Sequence, residues 1–260
     1  MLTKAEIALI KSLDKKRERQ KNNLFFVEGE KLTIELLESR AKLKKLFYVN
    51  GAVSQELLSL ARHKKVEIES VSNSEMGRIS HLKTSTPVLL LAEISNFKLD
   101  EKVVLNGLTI ALDGIQDPGN LGTIIRLADW FGIKNIICSL ATVDVYNPKV
   151  IQATMGAITR VKVHYVDLKD TLSYFKKKGS KLYITALDGE DMTSKKCENE
   201  GAIIIMGNEG KGVSEDINNL ADDRLFIPSF PKERQTTESL NVGVATAILC
   251  YHFRFNEVVK

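Results

Sequence analysis

A chain of 260 residues, 43% hydrophobic and 27% charged, is long enough for two ordinary domains and apolar enough to give each a core. No stretch reaches the eighteen or so apolar residues of a membrane span, and Lys4, Glu6, Lys11 and Asp14 break up the N-terminus where a signal peptide would carry its apolar core, so the cytoplasm is the expected compartment. Cys138, Cys197 and Cys250 stand in no ligand-like spacing with the four histidines, which predicts reduced thiols and no metal, and the net charge of +4 suits a polyanionic partner without requiring one.

Six basic residues crowd into residues 11–21 (KSLDKKRERQK), opposed only by Asp14 and Glu18. They read either as an RNA-binding patch built from Lys15, Lys16, Arg17, Arg19 and Lys21 or as a solvated helix face. Smaller clusters follow at Lys42, Lys44, Lys45 and at Arg62, His63, Lys64, Lys65. From residue 44 to 93 the apolar runs KKLFYV, KVEIESV and PVLLLAEI alternate with helix-like stretches such as 55–63, the pattern of a small α/β domain. The polar segment SNFKLDEKVVLN at 95–106 is the best linker candidate, which places a first domain at 1–98, a linker at 99–106 and a second domain at 107–260.

After Gly107 the runs LTIAL, NIIC, VKVHYV, LYITAL, AIIIM and RLFIP are spaced by predicted helices at 121–131, 168–178, 214–220 and 239–255. Several of these runs are continuously β-branched, as in strands buried on both faces, so the second domain is expected to be an α/β fold on a mainly parallel sheet. Ligands of such sheets bind outside the carboxyl ends of the strands, and three loops there are unusual.

The first loop, LDGIQDPGNLGTIIRLADWFG at 112–132, passes through a Gly/Pro/Asp turn into a helix for which Asn120 is a reasonable N-cap. Ile124, Leu127, Ala128 and Phe131 share its apolar face, whereas Arg126 lies about 200° from Ile124 and leans over Gly122 toward Asn120. Arg126 is thus either a guanidinium aimed at the strand-end crevice or an exposed arginine paired with Asp129. The second loop, IIIMGNEGKGVS at 203–214, is glycine-rich and carries Glu209, with Ser214 as the expected cap of the next helix. It lacks the Lys-Ser/Thr pair of a phosphate loop, and no G-x-G-x-x-G fingerprint is present. The third, at 226–253, runs through a polar loop into a long helix that Ser239 or Thr237 would cap.

In this order the three loops resemble the signature motifs of the SpoU/TrmH branch of the SPOUT RNA methyltransferases. Asn120, Gly122 and Arg126 match the first motif, Met206, Gly207, Asn208, Glu209 and Gly210 the second, and Ile227-Pro228 with Ser239, Leu240 and Asn241 the third. F-F-V-E-G-E-K at 25–31, with the basic clusters around it, is similar to the substrate-binding domain of many family members, itself related to a large-subunit ribosomal protein. Two departures stand out: the loop 229–238 is longer and more polar than usual, and Gly243 replaces a serine.

The resemblance implies a deep trefoil knot, S-adenosylmethionine as methyl donor, a homodimer joined through the C-terminal helix, and RNA ribose 2′-O-methylation. Large-subunit (23S) ribosomal RNA is the favoured substrate, transfer RNA the runner-up, and a non-catalytic RNA-binding protein the alternative of another class. It implies that Thr185, Ala186, Leu187, Gly207, Gly210, Ile227 and Leu240 hold the donor, and that Asn120, Arg126, Glu209, Ser239 and Asn241 serve catalysis. A guanidinium is too firmly protonated to act as a base, so Arg126 is expected to orient a phosphate and stabilise the developing alkoxide.

Overall fold

The computed structural model describes residues 2–231, 237 and 239–255. In chain order the elements begin α1 (Lys4–Ser12), α2 (Lys16–Asn22), β1 (Leu24–Glu28), α3 (Glu30–Glu38), β2 (Leu43–Val49), α4 (Gln55–His63), β3 (Glu67–Val71), α5 (Asn73–Ile79) and β4 (Val88–Glu93). They continue with α6 (Glu101–Leu105), β5 (Thr109–Asp113), α7 (Pro118–Trp130), β6 (Asn135–Ser139), α8 (Pro148–Thr154), β7 (Lys162–Val166) and α9 (Leu168–Lys177). The last are β8 (Lys181–Asp191), β9 (Ala202–Gly207), α10 (Glu215–Asn218), β10 (Asp223–Phe226) and α11 (Val242–Phe255).

Two compact units form: the chain up to Asn96 together with Asp144–Thr159, and Phe97–Val143 together with the chain from Arg160 onward. The first unit is a sheet in the order β1-β4-β2-β3, antiparallel except for the β2/β3 pair. The strand period of two shows in β4, where Val88, Leu90 and Ala92 join Leu36, Leu37 and Leu57 on one face while Leu89 and Leu91 join Ile10, Leu13 and Met76 on the other. Residues 144–159, which lie between β6 and β7 in sequence, complete the first of these cores through Ile151, Tyr146 and Ile158. Gln152 Nε2 donates to the Glu28 carbonyl at 2.8 Å, and the Tyr146 hydroxyl donates to the Ser95 carbonyl at 2.9 Å.

The second unit is a six-stranded sheet in the order β10-β8-β9-β5-β6-β7, with every neighbouring pair parallel. This is the covered parallel sheet that the β-branched runs predict, and Ala111, Ile137, Ile184, Ile203 and Ile205 lie at the centre of its core. Residues 101–105, inside the stretch read as linker, form α6, capped by the Asp100 carboxylate and buried at Val104. The chain steps one way from β5 to β6 and β7 and lays β8, β9 and β10 on the other side, so the sheet's switch point falls between β5 and β9. β8 pairs with β9 only from Lys181 to Ile184, and its register with β10 jumps between Arg224 and Leu225, where the partners change from Ile184 to Glu190. Residues 185–189 are thereby released from the ladder. Gly189 closes this excursion, since a Cβ there would stand 2.8 Å from the backbone of Arg224 and Leu225.

Candidate active site

The switch point gathers the loops that leave β5 and β9. The helix of the first loop begins three residues earlier than its cap was expected: Asp117 is the N-cap, Pro118 takes the first helical position, and the Asp117 carboxylate accepts the Asn120 amide N–H at 2.8 Å. Asn120 is therefore not the cap, and its side chain is free to bridge. Its Nδ2 donates to Glu209 Oε1 at 2.8 Å, and its Oδ1 accepts from Asn241 Nδ2 at 2.9 Å. Asn241 Oδ1 accepts the Gly243 and Val244 amides at 2.9 and 3.3 Å, so Asn241 caps α11 in place of the expected Ser239 or Thr237. Donors and acceptors alternate along this chain, which fixes the orientation of both amides. One residue from each motif loop meets here.

Gly243 explains itself in the same place. A Cβ on it would lie 3.1 Å from Asn241 Oδ1 and 3.2 Å from Thr123 Cγ2, so a side chain would crowd both the cap and the packing of α11 on α7.

The second loop is held by Asn208. Its Nδ2 donates to the Gly114 carbonyl at 2.8 Å, its Oδ1 accepts the Gly210 and Lys211 amides at 3.0 and 3.1 Å, and its backbone exchanges two bonds with Gly212. Gly207 admits no substituent, because a Cβ would fall 2.2 Å from the Gly212 carbonyl carbon. Ser214 occupies the N-cap position of α10, yet its hydroxyl makes no cap bond; its amide donates to Asp113 Oδ2 at 2.8 Å.

Beside these loops a cavity of about 820 Å³ opens between the carboxyl ends of β8, β9 and β10. Six of the residues expected to hold the methyl donor line it: Thr185, Ala186, Leu187, Gly207, Ile227 and Leu240. The seventh, Gly210, is not on the wall: it lies in the turn that Asn208 closes, where its amide donates to Asn208 Oδ1 at 3.0 Å. Glu209, Ser239 and Asn241 of the expected catalytic set also line the cavity, whereas Asn120 is not on the wall and is bonded to Glu209 and Asn241. Sequence reasoning missed Asn208, which braces the loop, and the apolar wall residues Met206, Val213 and Phe226. Asn208 was legible as part of M-G-N-E-G, but nothing in the pattern distinguished a brace from a contact.

Arg126 is exposed on the side of α7 opposite the buried Leu121, Ile124, Ile125 and Ala128. Among the described residues it makes no hydrogen bond or ion pair. Asp129, its alternative partner, is instead engaged by Arg160 at 3.0 Å. The loop 229–238, noted as unusually long, lies largely outside the described residues.

The model of the SpoU rRNA methylase family matches residues 107–251, more than half of the chain and all three motif loops. The chain belongs to the SpoU rRNA methylase family. A second model, the MRM3-like substrate binding domain, matches residues 4–90. Over 244 residues, 94% of each chain, the protein is 32% identical to the 23S rRNA (guanosine(2553)-2′-O)-methyltransferase RlmP of Bacillus subtilis. A TrmH-family structure from Porphyromonas gingivalis superposes with a TM-score of 0.85 at 35% identity, covering 99% of this chain and 100% of that one. The AdoMet-bound rRNA methyltransferase of Sinorhizobium meliloti gives a TM-score of 0.85 at 25% identity over 99% and 97% of the two chains.

In the SpoU-family chain the expected RNA patch on the first unit needs one correction. Lys15, Lys16, Arg17 and Lys21 are exposed, but Arg19 is 1% exposed and faces inward. Its guanidinium donates to the Leu13 and Asp14 carbonyls, both at 2.8 Å, and twice to Asp144 Oδ2 at 3.1 and 2.5 Å. With its donors occupied in the interior, Arg19 is a structural residue and not a phosphate contact.

Proposed function

We propose that the protein transfers a methyl group from S-adenosylmethionine to a ribose 2′-hydroxyl of RNA, with 23S ribosomal RNA as substrate. The observation that carries this reading is the Glu209–Asn120–Asn241 chain, which ties three separate motif loops together at a cavity on the sheet's switch point. The rRNA assignment rests on the relative from Bacillus subtilis, named for 23S rRNA and matched across both units.

The cavity suits the methyl donor. Its volume lies within the range of roughly 300 to 1,000 Å³ usual for small-molecule sites, and the release of 185–189 from the ladder leaves backbone groups available to a ligand. Thr185, Ala186, Leu187, Gly207, Ile227 and Leu240 would hold the donor, which supplies an electrophilic methyl on a sulfonium. Glu209, Ser239 and Asn241 place polar atoms on the cavity wall to fix the approaching ribose, and Asn120 holds Glu209 and Asn241 in register. A guanidinium offers five donors and no acceptor, so the role suited to Arg126 is to orient a phosphate and stabilise the alkoxide as it forms. Alignment of hydroxyl and methyl then provides much of the rate: as the O–C bond forms the S–C bond breaks, the neutral thioether leaves, and the hydroxyl proton passes to solvent.

The exposed cations of α2 would grip RNA through its phosphates. The trefoil knot is proposed for the stretch where β8 breaks and Gly189 passes the Arg224–Leu225 backbone. A homodimer is proposed through α11, whose Val244, Tyr251 and Phe255 are 49%, 63% and 63% exposed along one stripe. A monomer by sedimentation would remove that interface. The cytoplasm is the compartment this activity implies.

Incubation with tritiated S-adenosylmethionine and total RNA from a strain lacking the gene tests the reading. Label on a 23S ribose is the expected outcome; label on transfer RNA overturns the substrate, and no label on any RNA overturns the activity.

A further inference from the structure

We infer that Leu140 contacts the RNA substrate, packing against a base beside the methylated nucleotide. The inference rests on the RNA methyltransferase reading above and assigns a residue outside the three motif loops.

The cavity is walled by the ends of β8, β9 and β10, and the next strand across the sheet, β5, supplies Asn120 through its loop. Beyond β5 the next carboxyl end is that of β6, about 4.8 Å further along the sheet. Leu140 is the first residue past that end, and it is 70% exposed. RNA extending from a ribose at Glu209, Ser239 and Asn241, across β5 and away from the cavity, would meet this loop next.

A lone exposed leucine is common on protein surfaces and by itself means little. Here the loop that displays it is fixed. Ser139 Oγ accepts the Gly114 amide at 2.9 Å, Thr142 N donates to the Ser139 carbonyl at 3.0 Å, Thr142 Oγ1 donates to the Leu112 carbonyl at 3.2 Å, and Val143 N donates to the Ile115 carbonyl at 2.8 Å. Every one of these bonds ties the β6 loop to β5 or its loop, or closes the turn. Gly114 in turn receives Asn208 Nδ2 at 2.8 Å, one residue from Glu209. Leu140 therefore sits on a loop tied through Gly114 and Asn208 to the motif loop of Glu209.

Its chemistry selects the part of RNA it meets. An isobutyl group offers nothing to a phosphate or a hydroxyl, but it covers the face of a base pulled out of its stack, the form in which RNA is usually read. Such a contact tolerates any base, so Leu140 adds affinity and register without base identity.

The test uses the full-length protein, S-adenosylmethionine and a 23S rRNA transcript. Leu140→Ser should raise KM for the transcript about tenfold, with kcat at saturating RNA, affinity for S-adenosylmethionine and melting temperature unchanged; Leu140→Met should behave as wild type. A photoreactive benzoylphenylalanine at position 140 should cross-link to the methylated nucleotide or its immediate neighbours. Unchanged KM in Leu140→Ser, or cross-links confined to distant nucleotides, would overturn the inference alone. So would a changed sedimentation coefficient in Leu140→Ser, which would assign the leucine to a contact between copies. A wild-type protein that methylates no RNA would remove the reading on which the inference stands, and the inference with it.

Discussion

Arg19 on α2 and Arg126 on α7 are both helical arginines that the sequence places toward RNA, and the structure gives them opposite environments. Arg19 donates four hydrogen bonds within the first unit and is almost wholly buried. Arg126 is exposed and unpaired among the described residues, on the helix whose first turn carries Asn120. A cation whose donors are occupied stabilises the fold; one held out with no partner is available to a substrate. Charge counted along a sequence does not separate the two. Lys45 repeats the lesson: it belongs to a basic cluster, yet its ammonium meets Glu6, Glu67 and Glu69 at 2.7, 2.7 and 2.8 Å.

Arg19→Ala should have the largest effect on stability. It leaves the Asp144 carboxylate and two carbonyls without their donor, and breaking a buried pair in this way costs about 3 to 5 kcal/mol. Denaturant unfolding should show that loss, while the fraction that remains folded binds RNA as wild type. Normal stability with weakened RNA binding would reverse the assignment.

Arg126→Ala should do the opposite. Loss of one preorganised donor at developing charge costs about 100- to 1,000-fold in kcat, whereas a surface change away from packing moves stability by no more than about 0.5 kcal/mol. Arg126→Lys should recover little, because an ammonium lacks the planar fork. Unchanged turnover would take Arg126 out of the mechanism.

The parallel sheet was legible because its strands are continuous β-branched runs, and the candidate site could be located because its three loops carry specific glycines and amides at strand ends. The bridging by Asn120 was not, since Asp117 and Asn120 are both good cap residues and only the helix start decides between them. Nor was the placement of 144–159, whose Tyr146, Ile151 and Ile158 mark an apolar face without saying which core receives it. Arg19 was misread for the same reason: its partner, Asp144, lies 125 positions away in sequence.

A smaller effect sharpens the division within α2 itself. Lys16→Ala, Arg17→Ala and Lys21→Ala should each weaken RNA binding similarly for all sequences and lower the slope of log K against log salt by about 0.7 to 1, with no change in stability. Binding titrations at several salt concentrations measure this. A salt slope identical to wild type in all three would make α2 a merely solvated face.

The smallest effect concerns Lys45 and is read through pH. Its ammonium, helped by the Thr3 amide, lowers the Glu6 carboxyl from its ordinary value near 4.5 to about 2. A carboxyl lowered on folding contributes stability above its unfolded value and loses it as pH falls toward its folded value. Wild type should therefore exceed Lys45→Met in stability at neutral pH, and the difference should shrink between pH 4.5 and about 2. Because Glu6 remains 25% and Lys45 17% exposed, solvent screening holds the difference to about 1 kcal/mol. Glu69, lowered mainly by the same ammonium, adds in the same direction. A stability difference independent of pH over that window would mean that Lys45 does not depend on these carboxylates, and would return it to the cations available for RNA.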